Sequence, residues 1–104
     1  MKEKIQTFNL FGSNWKIIYK DRVEGEDNNW VYGATRDATK TIEISLKDPE
    51  GNKLPKEEIR FAVNHEVNHA IFSTGQYWNS FQDEPLVEWL ARCIASLIDQ
   101  KILK

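Results

Sequence analysis

Sulfur and imidazole are scarce in this sequence of 104 residues, which has one cysteine, Cys93, and two histidines. A single cysteine cannot form an intramolecular disulfide, and it cannot build a cysteine-rich zinc site. It lies in the apolar stretch LARCIASL, which predicts a small buried residue rather than a nucleophile. We therefore expect a protein that folds without disulfides, as in a reducing cytoplasm.

Long hydrophobic runs and an excess of positive charge are also absent. No stretch approaches the roughly 18 apolar residues of a membrane span, and the opening MKEKIQTFNL lacks the apolar region of a signal peptide. Lysine and arginine number 14 against 16 acidic residues, giving a formal net charge of −2 and a pI near 5.7. Proteins that bind nucleic acid in bulk usually carry a basic stripe. We expect a cytoplasmic protein that binds neither membranes nor nucleic acid.

The first half of the sequence has the hydrophobic pattern of β-strands. Two β-branched and aromatic runs, KIQTFNLF and NWKIIYK, are separated by the turn-forming residues Gly12-Ser13-Asn14. WVYGATRD and KTIEISL follow and predict a hairpin. In the second of these, apolar side chains alternate with Glu43 and Ser45, which is the period of a half-buried strand.

The second half has the hydrophobic pattern of helices. Apolar residues recur at helical spacing from Lys56 to about Ser73, and Pro55 suits the start of that helix. A second apolar stripe runs from Asp83 to about Leu103, with Pro85 tolerated in its first turn. Strands followed by helices predict a single α+β domain over residues 1–104, with a small, mostly antiparallel sheet of three or four strands packed against two helices.

Both histidines lie on the first predicted helix, in the segment HEVNH. Helix positions four apart share a face, with Cβ atoms about 5–6 Å apart, so His65 and His69 can point their imidazoles at one metal ion. Glu66 lies about 100° round the helix from His65 and can flank the metal without ligating it. This is the H-E-x-x-H arrangement of two zinc ligands and a carboxylate that takes a proton from metal-bound water. The alternative is a pair of surface histidines on an amphipathic helix.

A catalytic zinc usually has three protein ligands and one open position. The sequence has no third histidine and Cys93 is poorly placed, so we expect a carboxylate from DEPLVE, at the start of the second predicted helix. Glu84 and Glu88 share a face there, so one can ligate while the other accepts a hydrogen bond from a ligating histidine. We favour Glu84 as the ligand. The reverse assignment stays open, as does a purely structural role for acids near a helix start.

These residues resemble the zincin metallopeptidases, in particular the gluzincins, which carry HExxH on one helix and the third ligand on a following helix, in a pattern such as N-E-x-x-[SA]-D. DEPLVE is similar to that pattern, with Glu84 at the ligand position and Glu88 at the acidic position, although Val87 replaces the small residue. Residues 30 to 100 also resemble small metallopeptidases encoded in phage and prophage genomes, and more distantly the peptidases that cleave phage-type repressors.

The resemblance implies a minimal zincin-like core, one Zn²⁺ per chain, and hydrolysis of peptide bonds in a protein or peptide substrate. Glu66 would act as general base and then as general acid. In zincins an extended peptide lies antiparallel to an edge strand, and KTIEISL is the candidate strand here. For the residue that stabilises the oxyanion the sequence offers Tyr77, Tyr32 and Arg92, and Tyr77 lies in the connector between the two predicted ligand-bearing helices.

Two other functions compete with the peptidase. The first is a zinc-binding, non-catalytic regulatory or interaction module of phage or prophage origin, and the second is a metal-free α+β adaptor. Glu66 favours the enzyme, because a structural zinc site does not need a non-ligating carboxylate beside its ligands. The sequence predicts no particular oligomeric state and no particular substrate.

Overall fold

The computed structural model describes residues 4–10, 12–75, 93, 96, 97 and 100–102. They form an α+β fold in which strands precede a long helix. A short 3-10 turn, Glu26–Asn28, lies between the third and fourth strands. The strands are β1 Lys4–Leu10, β2 Ser13–Lys20, β3 Val23–Glu24, β4 Trp30–Val31, β5 Gly33–Arg36 and β6 Thr41–Ser45, and the helix is α1 Lys56–Gly75.

Four of the strands form one mixed sheet in the order β1-β2-β6-β5. β1 pairs antiparallel with β2 across a turn at Gly12, whose φ of 89° is a conformation that favours glycine. β5 pairs antiparallel with β6, whereas β2 and β6 run parallel. The predicted hairpin is confirmed as the pair β5 and β6, and the four strands of the sheet agree with the three or four predicted. The antiparallel character holds for two of the three pairings.

The prediction that KTIEISL lies at a sheet edge is wrong. β6, which carries this segment, is a central strand between β2 and β5. Ile42 and Ile44 are fully buried as expected, but Thr41 and Ser45 are buried as well, so the strand is not half-buried as predicted. The edge strand beside β6 is β5.

A two-stranded ribbon of β3 and β4 lies within the crossover from β2 to β6. Ser45 fastens this ribbon to the sheet, because its hydroxyl accepts a hydrogen bond from the Val23 amide at 2.9 Å and donates one to the Val31 carbonyl at 2.7 Å. The ribbon therefore meets β6 through one buried hydroxyl, which explains why a polar side chain is fully buried there.

Helix α1 covers the sheet with two adjacent rows of side chains spaced by four residues. One row contains Ala62, Glu66 and Ala70, and the other contains Val63, Val67 and Ile71; all six are buried. Both rows face one side, as the predicted amphipathic pattern requires. They pack against a core that includes Phe8, Leu10, Trp15, Ile17, Ile42 and Ile44.

The expectation of two helices is not borne out: the described residues contain one α-helix, α1. Most of the second predicted helix, from Asp83 to about Leu103, lies outside the described residues. Within that segment Cys93 and Leu97, four residues apart, have helical backbone and are fully buried in the core. Of the apolar residues from which the second helix was predicted, only Leu97 is among the described residues, and it packs in the core.

Gln100 attaches the last described segment to the sheet. Its side-chain amide accepts a hydrogen bond from the Asn9 amide at 2.7 Å and donates one to the Asn9 carbonyl at 2.9 Å.

Among the described residues, no helix combines the length and the apolar character that crossing a membrane requires.

Candidate metal centre

The two histidines lie on a row of α1 that the core does not use. Residues 57, 61, 65 and 69 are four apart and all exposed, next to the buried row that contains Ala62 and Ala70. His65 and His69 therefore project from the helix at the margin of its contact with the sheet. The helix predicted from Lys56 is confirmed, and so is the shared face of the two imidazoles.

The two imidazoles converge on one point. Their Nε2 atoms are 3.3 Å apart, with ring centroids 4.9 Å apart and ring planes at 74°. Two nitrogens that each lie about 2.0–2.1 Å from a tetrahedral zinc ion are about 3.3–3.4 Å from each other. The separation of the two nitrogens therefore fits joint ligation of one such ion.

Glu66 is buried although the two histidines of the motif are exposed. It is 7% exposed, because it lies in the row of α1 between Ala62 and Ala70 that faces the sheet. Its Oε2 atom is 3.9 Å from His65 Nε2, so one carboxylate oxygen points toward the histidines. The sequence predicted the position of Glu66 beside the pair but not its burial.

Strand β5 holds the other carboxylate oxygen. The Thr35 hydroxyl is 2.8 Å from Glu66 Oε1 and 3.1 Å from the Glu66 backbone oxygen, and its shorter hydrogen bond goes to the carboxylate. A hydrogen bond to an ionised carboxylate is stronger than one between neutral groups. Thr35 thus fixes Oε1 against the sheet and leaves Oε2 on the histidine side.

Gly33 lets the strand approach the stem of Glu66. A Cβ atom added at Gly33 would lie 2.9 Å from Glu66 Cγ and 3.0 Å from the Glu43 backbone oxygen, so that Glu66 or the strand would have to shift. Gly33 and Thr35 are two residues apart and so share a face of β5. Both were missed by sequence reasoning, because their contact with Glu66 depends on which strand packs under the motif.

An open groove of about 560 Å³ extends from the histidines, and we call it the histidine groove. Asp37, at the turn after β5, and Phe72, one turn beyond the histidines on α1, line its far end. Its remaining walls come from the motif and its supports, and the lining residues are Thr35, Asp37, His65, Glu66, Asn68, His69 and Phe72.

The predicted third ligand is not among the described residues. Glu84 and Glu88 lie outside them, as do Tyr77 and Arg92. Within the described part of the chain, no group of three or more His, Cys, Asp and Glu side chains is arranged to hold a metal ion. The described residues therefore supply two nitrogens and a flanking carboxylate, and any third ligand must come from elsewhere.

Tyr32, the remaining oxyanion candidate, does not line the histidine groove. It lies instead in a neighbouring pocket with Phe61, Glu57 and Glu58, and its ring packs edge-on against Trp30 with centroids 4.6 Å apart. Among the described residues, Tyr32 therefore lies beside the histidine groove and not in it.

Cys93 is the small buried residue that its apolar surroundings predicted. It is fully buried, and desolvation raises the pKa of its thiol to about 11. A thiol binds zinc as the thiolate, so a cysteine that stays protonated in the core is a poor ligand.

A scan against protein-family models, a search of curated proteins and a search of solved structures find no match for this chain.

Proposed function

We propose that this chain is a zinc-dependent metallopeptidase with Glu66 as general base and acid. The observation that carries the proposal is the convergence of the two histidine Nε2 atoms at 3.3 Å, with the buried Glu66 carboxylate beside them. His65, His69 and a carboxylate, Glu84 in preference to Glu88, would hold the metal. The resemblance to small phage-encoded metallopeptidases supports the same assignment, and the single cysteine supports a cytoplasmic setting.

The residues of the chain have separate tasks in this proposal. A bound zinc ion would polarise the scissile carbonyl and activate a water molecule. Glu66 Oε2, on the histidine side, would accept the proton of that water and deliver it to the leaving amine. Thr35 would keep Glu66 Oε1 turned away, so that a single oxygen faces the reaction. Tyr77 remains our candidate for stabilising the oxyanion.

The substrate would lie along β5. An edge strand has backbone groups available for pairing with an added strand. β5 also lies next to Glu66, which it meets at Gly33 and Thr35. β6 cannot take this role, because both of its neighbouring positions are occupied by strands. A peptide extended along β5 would bring a backbone carbonyl to the two histidines.

The test compares Glu66→Gln with the unsubstituted protein, both loaded with zinc, on a mixture of unstructured peptides analysed by mass spectrometry. We expect new termini with the unsubstituted protein, a loss of cleavage of at least about 100-fold in Glu66→Gln, and equal zinc content. Zinc binding without cleavage in the unsubstituted protein would support the non-catalytic interaction module instead. Equal cleavage by both proteins would contradict the role of Glu66.

A further inference from the structure

A second pocket adjoins the histidines at the start of α1, and we call it the aromatic pocket. Tyr32, Glu57, Glu58 and Phe61 line its space of about 250 Å³. Phe61 is 72% exposed and Tyr32 is 46% exposed, so two large aromatic rings face solvent next to two carboxylates. None of these four side chains has a role in the proposed hydrolysis.

The aromatic pocket and the histidine groove lie along one line. The ring of Phe61 is 6.3 Å from that of His65, one helical turn further along α1. Tyr32 directly precedes β5, whose Thr35 contacts Glu66. β5 and α1 therefore run in the same direction here. Both lead from the aromatic pocket, past the HEVNH motif, to the end of the histidine groove at Asp37.

Among the described residues, the carboxylates that line the aromatic pocket and the histidine groove face no lysine or arginine in either lining. Glu57 and Glu58 line the aromatic pocket, and Glu66 and Asp37 line the histidine groove, whereas no lysine or arginine is among the described residues that line either space. Arg36, the cation of β5, is held by Glu43 at 2.9 Å. It follows Thr35 in the strand, so its side chain points to the opposite face.

We propose that the substrate is a cationic peptide segment, with an arginine or lysine side chain seated in the aromatic pocket. This inference rests on the proposed function, because it assumes that the peptide lies along β5 past the histidines. The aliphatic stem of the cation would lie against the rings of Tyr32 and Phe61, and its charged head would meet the aromatic faces and the carboxylates of Glu57 and Glu58. Two adjacent acids at a helix start also favour the helix dipole, but that role does not require exposed aromatic partners.

The experiment measures binding in the Glu66→Gln protein, so that cleavage does not interfere. The probes are ten-residue peptides of alanine and serine that carry two central arginines or, as the neutral isostere, two citrullines. Dissociation constants come from NMR titration of the ¹⁵N-labelled protein with zinc present. We expect the arginine peptide to bind about fivefold more tightly than the citrulline peptide.

The variants identify the source of that preference. Glu57→Gln/Glu58→Gln removes the two pocket charges and should abolish the preference, while Glu26→Gln/Glu50→Gln removes two exposed charges elsewhere and should retain it. The NMR spectra also show whether each variant is folded. Equal binding of the two peptides, binding of neither, or a preference that survives Glu57→Gln/Glu58→Gln would overturn the inference.

Failure of this inference is distinguishable from failure of the proposed function. The same two peptides are incubated with the zinc-loaded protein that retains Glu66, and products are identified by mass spectrometry. A preference for arginine without any cleavage contradicts the peptidase and leaves the cationic site standing. Cleavage of both peptides at equal rates contradicts the cationic site and leaves the peptidase standing.

Discussion

Glu66 is an acidic residue at a position where α1 otherwise buries alanine. Its row on the helix reads Ala62, Glu66, Ala70, and all three side chains face the sheet. A buried carboxylate is costly unless it is hydrogen-bonded, and Thr35 supplies that bond from β5. The small residues on either side and the missing side chain of Gly33 make room for the carboxylate. α1 and β5 together provide the space and the hydrogen bond that one buried acidic side chain requires.

Removing the Thr35 hydroxyl tests whether this adaptation serves the reaction. Thr35→Val keeps the shape and loses the bond to Oε1, so we expect kcat to fall about tenfold or more, with zinc content and KM little changed. Thr35→Ser retains the hydroxyl and should recover most of the rate. The measurement is steady-state cleavage of a peptide found in the digestion experiment. Equal rates for Thr35→Val and the unsubstituted protein would show that Thr35 does not position Glu66.

At this scale the sequence predicted the mutual geometry of the HEVNH residues but not the residues that support them. His65, Glu66 and His69 form a local motif, so their spacing on one helix was enough to predict their mutual geometry. Thr35 and Gly33 reach Glu66 from another element, and their contact depends on which strand packs under the motif. Sequence spacing carries no information about that pairing.

At the scale of elements, the hydrophobic pattern and its change of period near the middle of the chain correctly predicted the four strands of the main sheet and α1. The position of β6 in the sheet was predicted wrongly. Alternation of apolar and polar residues indicates that the two faces of a strand differ, but it does not indicate whether one or two strands lie beside it. Glu43 and Ser45 are polar, and this pattern predicts that their face of β6 is exposed to solvent. The ribbon of β3 and β4 meets that face at Ser45, and a ribbon of two-residue strands is too short for its own periodic pattern.

Ser45→Ala tests the attachment of the ribbon. The substitution leaves the Val23 amide and the Val31 carbonyl without their hydroxyl partner, so we expect the free energy of unfolding to fall by about 1–3 kcal/mol. Urea denaturation followed by tryptophan fluorescence measures it. Ser13→Ala is the matched control, because the Ser13 hydroxyl makes an exposed bond to Lys40; we expect a change within about 0.5 kcal/mol there. Equal losses in the two variants would contradict the anchoring role of Ser45.

At the scale of the whole molecule, a net charge of −2 conceals an uneven distribution. The groove side of α1 and β5 carries carboxylates, while the opposite face of the sheet carries ion pairs centred on Glu43. That carboxylate is bonded to Lys20 at 2.6 Å and to Arg36 at 2.9 Å. Partial burial alone would raise the pKa of Glu43, but the hydrogen bonds and charges of the two cations outweigh it and lower the pKa below its usual value.

The lowered pKa of Glu43 makes stability depend on pH in a definite direction. A carboxyl group with a lower pKa in the folded state stabilises the fold above its unfolded pKa, about 4.3, and this contribution is lost as the pH falls through the folded-state pKa. We therefore expect the Tm of the unsubstituted protein to fall more steeply below about pH 4.5 than that of Glu43→Gln. Parallel Tm curves from pH 7 to pH 3 would contradict this account.

The measurement that tests the central claim most directly is zinc per chain by elemental analysis, after dialysis against a weak chelator. The unsubstituted protein should retain about one zinc ion, and His69→Ala should lose it, because one metal ion requires both imidazoles. Glu84→Ala should lose it as well, whereas Glu88→Ala should keep it; loss only in Glu88→Ala would exchange the two roles. An unsubstituted protein without stoichiometric zinc, even after the metal is added back, would contradict the metal centre and with it the peptidase.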